Sequence, residues 1–212
     1  MRARLQTHTT TDRMRPVLVW RAPRPVLTIS SGAFGGGMGL RSWFVNAEVP
    51  KTYDRLDLSD HAAELQAELD LRGDGVVMLT AAAVDRHALA DDTGVLATAT
   101  VGLTMPTWAA APDGDEGTWQ PSRVGTINIL AWVPVRLSLA AMVGAVGTVT
   151  EAKVQALVEA GVSGSGTASD AVCIACPAGG PVEPFAGVRS EWGAPLARAV
   201  HAAVQTGAAV RP

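Results

Sequence analysis

The chain has 212 residues, of which 48% are hydrophobic and 17% are charged, and its formal net charge is -3. This composition excludes a disordered chain and predicts one compact domain with a sizeable core. Because no run of Lys or Arg supplies the positive field that phosphate backbones require, nucleic acid is excluded as a partner.

The start of the chain is rich in Thr, Arg and Gln and shows no hydrophobic periodicity. It predicts a flexible tail, residues 1–13, ahead of a single domain formed by residues 14–212. The tail is basic but has no apolar core of the kind that a signal peptide needs, so we expect a cytoplasmic protein. Pro134 and Arg136 interrupt the apolar run of residues 127–149, which argues against a membrane span.

Apolar and β-branched runs predict the strands. They lie at residues 17–20, 26–30, 42–49, 76–80, 96–103, 126–135 and 170–176. The segment 21–25, which contains two prolines, is interpreted as a hairpin turn between the first two strands, and residues 111–122 as a polar loop.

Periodic apolar residues predict three helices. The first follows the cap residue Ser59 and ends before Gly73, and the second runs from the cap residue Ser138 to Ala160. The third, residues 194–206, closes the chain.

The order strand, helix, strand therefore occurs twice. It predicts an α/β domain, with α+β as the alternative, built on a mixed β-sheet with a C-terminal helix. Asn46 and Asn128 each lie on the strand that precedes a helix, which hints at an internal duplication.

A Gly-rich loop, residues 32–39, connects two predicted strands. Glycines let backbone N–H groups approach a ligand or an oxyanion closely, so this loop is a candidate binding element. The loop lacks the Gly-Lys-Ser/Thr ending of a phosphate loop and leads into a strand instead of a helix, so no nucleotide site is predicted. A purely structural loop is the alternative.

The second predicted helix carries small residues, Ala140, Gly144 and Gly147, on a stripe that ends at Glu151. Such a stripe permits close packing of a neighbouring element or the approach of a bulky substrate. Lys153 shares an apolar face of the same helix, where its ammonium group is expected to snorkel to solvent unless it has a partner or serves a buried site.

Residues 166–170 compress Thr167, Ser169 and Asp170 into a turn ahead of a buried strand. Such side chains converge on a pocket or cap their own turn, and both interpretations stay open here. Asn128 is an amide in an otherwise apolar strand and needs a partner from the protein or from a substrate. We expect the Gly-rich loop and this turn to face one pocket.

Cys173 and Cys176 form a C-x-x-C sequence, but residues three apart in a strand face opposite sides. They are predicted to be small core residues and not a metal or redox pair. The four histidines lack metal-ligand spacing and are expected to be solvated. No metal site is predicted.

Seven short motifs occur in an order that resembles the adenosylcobinamide amidohydrolase family of corrinoid salvage, over residues 26–206. They are Ser30-Ser31 with the Gly-rich loop, Asn46-Ala47-Glu48-Val49-Pro50, Met78-Leu79-Thr80-Ala81, Ala99-Thr100-Val101-Gly102, Gly125-Thr126-Ile127-Asn128-Ile129, Thr150-Glu151-Ala152-Lys153 and Gly166-Thr167-Ala168-Ser169-Asp170-Ala171. The resemblance implies hydrolysis of the amide that joins aminopropanol to the propionyl arm of the corrin ring in adenosylcobinamide. The implied product is adenosylcobyric acid, which re-enters cobalamin synthesis.

The same resemblance implies a corrinoid small molecule as the partner, with no protein cofactor, since cobalt enters only as part of the substrate. Two other readings stay open: an amidase for another amide, and a non-catalytic corrinoid-binding protein. The oligomeric state is not predicted.

Amide hydrolysis needs a nucleophile, a proton donor for the departing amine, and donors for the oxyanion. The candidate catalytic residues are Glu151, Asp170, Lys153, Thr167 and Ser169. The candidate substrate-binding residues are Ser30, Ser31, Gly35, Gly36, Gly37, Asn46, Thr80, Thr126 and Asn128. Glu151 is the preferred base because it ends the small-residue stripe, with Asp170 as the alternative, while Asn128 or N–H groups of the Gly-rich loop are the expected oxyanion donors.

Overall fold

The structure, a computed structural model, describes residues 1–112 and 125–209. Its strands are β1 (Arg4–Thr9), β2 (Met14–Ser30), β3 (Gly37–Glu48), β4 (Gly75–Thr80), β5 (Ala88–Asp92), β6 (Val95–Gly102), β7 (Thr126–Trp132), β8 (Arg136–Leu137), β9 (Ala171–Cys176) and β10 (Val182–Glu183). Its α-helices are α1 (Leu58–Glu68), α2 (Leu139–Glu159) and α3 (Gly193–Ala209), and a short 3-10 helix spans Val84–Arg86.

The main sheet has the strand order β4-β3-β2-β9-β7-β6-β5, with β1 paired to β2. Strands β3 and β4 are parallel and are joined through α1, and β7 and β9 are parallel and are joined through α2. Strands β2 and β6 run antiparallel to their neighbours. The predicted α/β class, the mixed sheet, the two strand-helix-strand units and the C-terminal helix are confirmed. The internal duplication stays a prediction.

The sheet coils so strongly that strands distant in its order meet. Asn128 Nδ2 on β7 donates a hydrogen bond to the Leu79 carbonyl oxygen on β4, although three strands separate β7 from β4. Leu18, Phe44 and Leu130 come from three different strands and belong to one buried interior cluster. Because successive side chains of a strand point to opposite faces, the face of the sheet that points away from this interior cluster packs against the helices. One half of that face contacts α1, and the other half contacts α2 and α3.

The N-terminal segment is not the flexible tail that its composition predicted. Arg4–Thr9 form β1, which pairs antiparallel with the first part of β2. His8 is fully buried, not solvated, and its Nε2 lies 2.8 Å from the Glu48 carbonyl oxygen. The hydrophobic pattern did not predict β1 because His8 is its one buried side chain. Main-chain hydrogen bonds to β2 hold the strand in place, and such bonds produce no alternation of hydrophobic residues in the sequence.

The predicted hairpin of residues 17–30 is wrong, because these residues belong to one continuous strand. The register of β2 shifts between Arg21 and Val26, along an exposed stretch that contains Pro23 and Pro25. Proline has no N–H to donate and is tolerated at such an irregularity. The prolines therefore interrupt the strand pairing without reversing the chain.

Of the two predicted helix N-caps, Ser138 is confirmed and Ser59 is wrong. Ser138 Oγ accepts a hydrogen bond from the backbone N–H three residues later, at 3.0 Å, so its predicted capping role at α2 is confirmed. Ser59 does not cap α1, since Asp57 occupies that position. The Asp57 carboxylate binds the Arg55 guanidinium at 2.6 Å instead of a helix N–H.

Two segments were harder to read from the sequence. Strand β5 was not predicted, because it is short and ends in two aspartates. The predicted polar loop, residues 111–122, lies almost entirely outside the described residues. None of the helices in the described ranges is both long and apolar enough to cross a membrane.

Cys173 and Cys176 lie on opposite faces of β9, as their spacing predicted. Cys173 belongs to the interior cluster, whereas Cys176 packs in the cluster beneath α2 and α3. Burial raises the pKa of the Cys173 thiol to about 12. The thiol is therefore protonated at neutral pH, which agrees with a core role.

His61 is the second histidine whose predicted solvation is wrong. It is buried, and its Nδ1 lies 2.7 Å from the Tyr53 hydroxyl. Burial, and then the nearby Arg55 charge, lower the pKa of His61 from its ordinary 6.5. The folded protein therefore favours the neutral imidazole.

Lowering the pH is expected to destabilise the protein through His61. Below its ordinary pKa of 6.5 the unfolded chain takes up a proton that the folded chain resists, so the free energy of unfolding falls until the lowered pKa is reached. Urea unfolding at about pH 7.5 and about pH 5.5 measures the loss, which should be smaller in His61→Gln. Equal losses in both proteins would show that His61 is not the group responsible.

Candidate active site

The Asp170 carboxylate, just before β9, accepts four hydrogen bonds. Its Oδ1 accepts from the Thr167 hydroxyl at 2.5 Å and from the Ile127 N–H at 2.9 Å. Its Oδ2 accepts from Lys153 Nζ at 2.5 Å and from the Thr167 N–H at 3.2 Å. We call Lys153, Thr167 and Asp170 the Asp170 cluster. A carboxylate offers about four lone-pair positions, so all of those on Asp170 are used.

Helix α2 directs Lys153 inward, because the residue shares the buried face of that helix with Val149 and Leu157. Its side chain is 11% exposed and that of Asp170 is 13% exposed, so the ion pair is largely removed from water. The expectation that Lys153 snorkels to solvent is therefore wrong. A Cβ at Gly166 would overlap Asp170 Oδ2 and crowd Lys153 Nζ, which explains the glycine at this position.

A pair of hydroxyls lies beside the Asp170 cluster. Thr126 Oγ1, at the start of β7, is 2.9 Å from Ser169 Oγ, and Ser169 Oγ donates to the Gly125 carbonyl oxygen at 3.1 Å. Thr126 is buried, with 3% of its surface exposed. The turn that the sequence singled out thus meets the start of β7, as its polar side chains suggested.

A second polar group lies in the interior of the coiled sheet. Asn128 Nδ2 donates to Asn46 Oδ1 at 2.8 Å and to the Leu79 carbonyl oxygen at 3.0 Å, while Asn46 Nδ2 donates to Thr100 Oγ1 at 3.0 Å. Both N–H bonds of Asn128 are therefore used, so it has none left for an oxyanion. Its Oδ1 is buried and has no hydrogen-bond partner in the part of the chain that the structure describes.

Thr100 was missed among the candidate residues, although the sequence contained a signal for it. It occupies β6 directly opposite Asn128 of β7 and is 1% exposed. A threonine at an inward position of an apolar strand needs a partner in the same way as the asparagine does. Only the tertiary structure shows the cross-strand register that places the two residues opposite each other.

An open groove of about 740 Å³ lies next to these polar groups. Its lining includes the loop after β4 (residues 81–83), the end of β6 with residues 103, 104 and 106, the loop after α2 (162–163) and the end of α3 (207–208). A cavity of this size suits a large ligand. The lining is mostly apolar or small and also contains Lys51 and Arg86.

Glycine backbones connect the groove to the Asp170 cluster. Gly102 lines the groove, and a Cβ on Gly125 would lie 2.6 Å from the Gly102 carbonyl oxygen and 3.1 Å from Thr167 Cγ2. Thr80 is close as well, because its Oγ1 accepts a hydrogen bond at 3.0 Å from the N–H of Ala82, another lining residue. The groove, the hydroxyls and the carboxylate are therefore neighbours.

The structure does not bring Glu151 into this site. Glu151 is exposed on α2, beside Thr150 and Gln155 on a surface that faces away from the buried side of the helix. Gly144 and Gly147, on the stripe that led to it, have no atom within 4 Å of a built Cβ. The small-residue stripe is thus not packed against any described residue, and the catalytic role of Glu151 stays a prediction.

The Gly-rich loop begins beside the start of β9, but neither the loop nor the turn is in the lining of the groove, so the pocket that we expect them to share stays a prediction. Ser31 N–H donates to the Val172 carbonyl oxygen at 2.9 Å and Ser31 Oγ accepts from the Val172 N–H at 3.0 Å, next to Asp170. Ser30 Oγ accepts from the Gly32 N–H at 2.9 Å. These are contacts within the protein, of the kind that shape a turn.

The glycines farther along the loop lie against β4. Gly35 has a φ of +67°, and a Cβ there would overlap the Gly75 carbonyl oxygen. A Cβ on Gly36 would lie 2.8 Å from the Gly32 carbonyl oxygen, and Gly37 has a φ of +80°. The backbone therefore requires these glycines for its own conformation, and a substrate contact at Gly35, Gly36 or Gly37 stays a prediction.

Glu48 is a buried carboxylate that was not among the candidates. Its Oε1 accepts from Arg15 Nη1 at 3.0 Å and its Oε2 from the Val84 N–H at 3.1 Å. It lies two residues after Asn46 on β3, on the same face of the strand. The two carboxylate oxygens therefore join β2 and the 3-10 helix to β3, while the main-chain carbonyl oxygen of Glu48 contacts His8 of β1.

Comparison with known proteins assigns the chain to a family. The model of the adenosylcobinamide amidohydrolase family matches residues 2–211, which is nearly the entire chain. The chain belongs to the adenosylcobinamide amidohydrolase family. Membership makes it a hydrolase that acts on an amide bond, and it confirms the resemblance noted in the sequence motifs.

Two relatives carry the name adenosylcobinamide amidohydrolase. The protein from Methanosarcina mazei is 29% identical over 192 residues, which cover 86% of this chain and 90% of the relative. The protein from Halobacterium salinarum is 36% identical over 138 residues, which cover 63% of this chain and 58% of the relative.

Members of an amidohydrolase family need a nucleophile, a base and a positive or N–H group for the oxyanion. In this adenosylcobinamide amidohydrolase family member, the Asp170 cluster contains a hydroxyl, a carboxylate and an ammonium group in mutual contact. Five of the predicted residues, Lys153, Thr167, Ser169, Asp170 and Thr126, thus meet at one end of the sheet.

Proposed function

We propose that the protein hydrolyses the amide that joins aminopropanol to the propionyl arm of adenosylcobinamide, in the salvage of cobinamide for cobalamin synthesis. The products are adenosylcobyric acid and aminopropanol. The observation that carries this proposal is the family match over residues 2–211. The protein is expected to act in the cytoplasm.

The groove supports a corrinoid as the substrate. A corrin is a broad apolar disc fringed with amides, and the groove offers mostly apolar lining with a volume of about 740 Å³. Asn128 is 1% exposed, is not among the residues that line the groove, and uses both of its N–H bonds within the protein. We therefore do not propose it as the oxyanion donor that the sequence suggested.

The contacts of Asp170 favour Thr167 as the nucleophile. All four acceptor positions of the carboxylate are used, so a water molecule has no free position there, whereas the Thr167 hydroxyl already donates to Oδ1 at 2.5 Å. A hydroxyl in contact with a base that a third group orients is the usual arrangement of an activated nucleophile. Lys153 is that third group, at 2.5 Å from Oδ2.

The proposed reaction has two halves. Thr167 Oγ adds to the amide carbon while its proton passes to Asp170, and the C–N bond then breaks as that proton moves to the departing aminopropanol nitrogen. Water then adds to the Thr167 ester, loses its proton to Asp170, and releases the carboxylic acid while Thr167 regains its hydrogen. Lys153 uses one of its three N–H bonds on Asp170, so the others are available to the oxyanion.

Incubation of the purified protein with adenosylcobinamide tests the function. The expected result is release of aminopropanol and adenosylcobyric acid in equal amounts, detected by mass spectrometry. Binding of adenosylcobinamide without release of aminopropanol would indicate a corrinoid carrier. An intact, unbound adenosylcobinamide would instead point to an amidase for another amide.

We further propose that turnover needs no metal ion. The proposed chemistry uses a hydroxyl, a carboxylate and an ammonium group, and the His and Cys residues lack metal-ligand spacing in the sequence. Exhaustive treatment with a chelator is expected to leave the rate of aminopropanol release unchanged. Loss of activity that zinc or another divalent ion restores would overturn this view.

A further inference from the structure

Two positively charged side chains, Lys51 and Arg86, line the groove together. Lys51 follows β3 and Arg86 ends the 3-10 helix after β4, and both are exposed. The other lining residues are apolar, glycine or hydroxyl-bearing, and none of them is a carboxylate. The groove therefore combines an apolar surface with a net positive charge.

Lys51 and Arg86 belong to the cations that have no carboxylate partner among the described residues, whereas other cations are paired. Arg15, Arg55 and Arg198 each bind a carboxylate within 3.0 Å. Across residues 1–112 and 125–209, by contrast, no carboxylate lies within ion-pairing distance of Lys51 or Arg86. Cations without a counter-charge in a concave, partly apolar surface attract an anionic ligand.

The hydrolysis itself creates such an anion. When water cleaves the amide, the C–N bond breaks, a C–O bond forms, and the neutral arm of the corrin becomes a carboxylate while aminopropanol leaves as an ammonium ion. Gly102, which lines the groove, and Thr167 of the Asp170 cluster both lie against Gly125, so the groove adjoins the cluster at which we propose that the carboxylate forms.

We propose that Lys51 and Arg86 form an anion subsite that recognises the carboxylate of the corrinoid product. This inference rests on the proposed function. The subsite favours the corrinoid acid over the amide from which it is made, so the product inhibits the enzyme and leaves more slowly at low salt. The two residues bind product and are not catalytic.

Binding of adenosylcobyric acid tests the subsite, whether or not the preparation hydrolyses adenosylcobinamide. Equilibrium dialysis measures this binding, with the corrin absorbance as the readout. Lys51→Gln and Arg86→Gln are each expected to weaken binding about two- to fivefold, since exposed ion pairs contribute modestly. Added salt should weaken binding to the unaltered protein more than to the double variant. Arg72→Gln is the matched control, because its side chain is 89% exposed and does not line this groove.

Initial rates separate this inference from the function. In an active preparation, the product inhibition constant should rise in Lys51→Gln and Arg86→Gln by a larger factor than KM for adenosylcobinamide does, and Arg72→Gln should change neither. Unchanged product inhibition with normal turnover would overturn the subsite and leave the function intact. If the protein shows no turnover but binds the acid in a salt-dependent way, and the two variants weaken that binding, the function is overturned and the subsite is supported. Binding of the acid that neither salt nor the variants alter would overturn the subsite.

Discussion

Replacing Asp170 by asparagine is expected to lower kcat for adenosylcobinamide by about 10²- to 10⁴-fold, the usual contribution of a positioned base. Asparagine keeps the shape of the side chain but cannot take the proton that Thr167 donates at 2.5 Å. Glu151→Gln is the matched control, because it makes the same chemical change on the exposed side of α2. It should leave kcat within about twofold of the unaltered enzyme.

The measurement is the rate of aminopropanol release, with circular dichroism and urea unfolding to show that the variants are folded. Asp170→Asn also leaves the Lys153 ammonium without its counter-charge, so a second variant that keeps the ion pair is needed. Thr167→Val serves this purpose, since it removes only the hydroxyl, and it should lose at least as much activity. Normal turnover in Thr167→Val would refute Thr167 as the nucleophile. A loss of turnover confined to Glu151→Gln would refute Asp170 as the base and return that role to Glu151.

Replacing Lys153 by methionine is expected to destabilise the protein by about 3–5 kcal/mol, the cost of leaving one member of a buried ion pair alone. The side chains of Lys153 and Asp170 are 11% and 13% exposed, so water cannot replace the lost partner well. Urea unfolding measures the change, and the midpoint should fall with little change in the slope.

The double variant Lys153→Met with Asp170→Asn removes both charges and provides the control. It should recover a large part of the stability that Lys153→Met loses, because no uncompensated charge then remains in the interior. Recovery of stability without recovery of turnover would separate the structural role of the pair from its role in the reaction. A Lys153→Met protein as stable as the unaltered one would show that the pair contributes little.

The sequence alone determined the elements that carry a strong local signal. Strands β4, β7 and β9 are buried apolar runs, and α2 begins at a serine that caps it, so local physics specified them. The ordered motifs likewise pointed to the family before any geometry was known. The sequence also predicts the polar turn at Thr167 and Asp170 as a candidate site, with turn capping as the alternative, because hydroxyls and a carboxylate lie ahead of a buried strand.

Local sequence patterns did not predict the structure of segments whose conformation depends on neighbouring elements of the fold. β1 has a single buried side chain, so main-chain bonds to β2 order a segment that composition described as a tail. The choice between Glu151 and Asp170 also needed tertiary structure, because helix periodicity places Glu151 on a stripe without saying whether anything covers it. The tertiary structure surrounds Asp170 with partners from β7 and α2 and leaves Glu151 exposed, which supports our proposal of Asp170 as the base. Two hydrogen bonds of Asp170 join residues 17 and 43 positions apart, and no local rule specifies contacts at such separations.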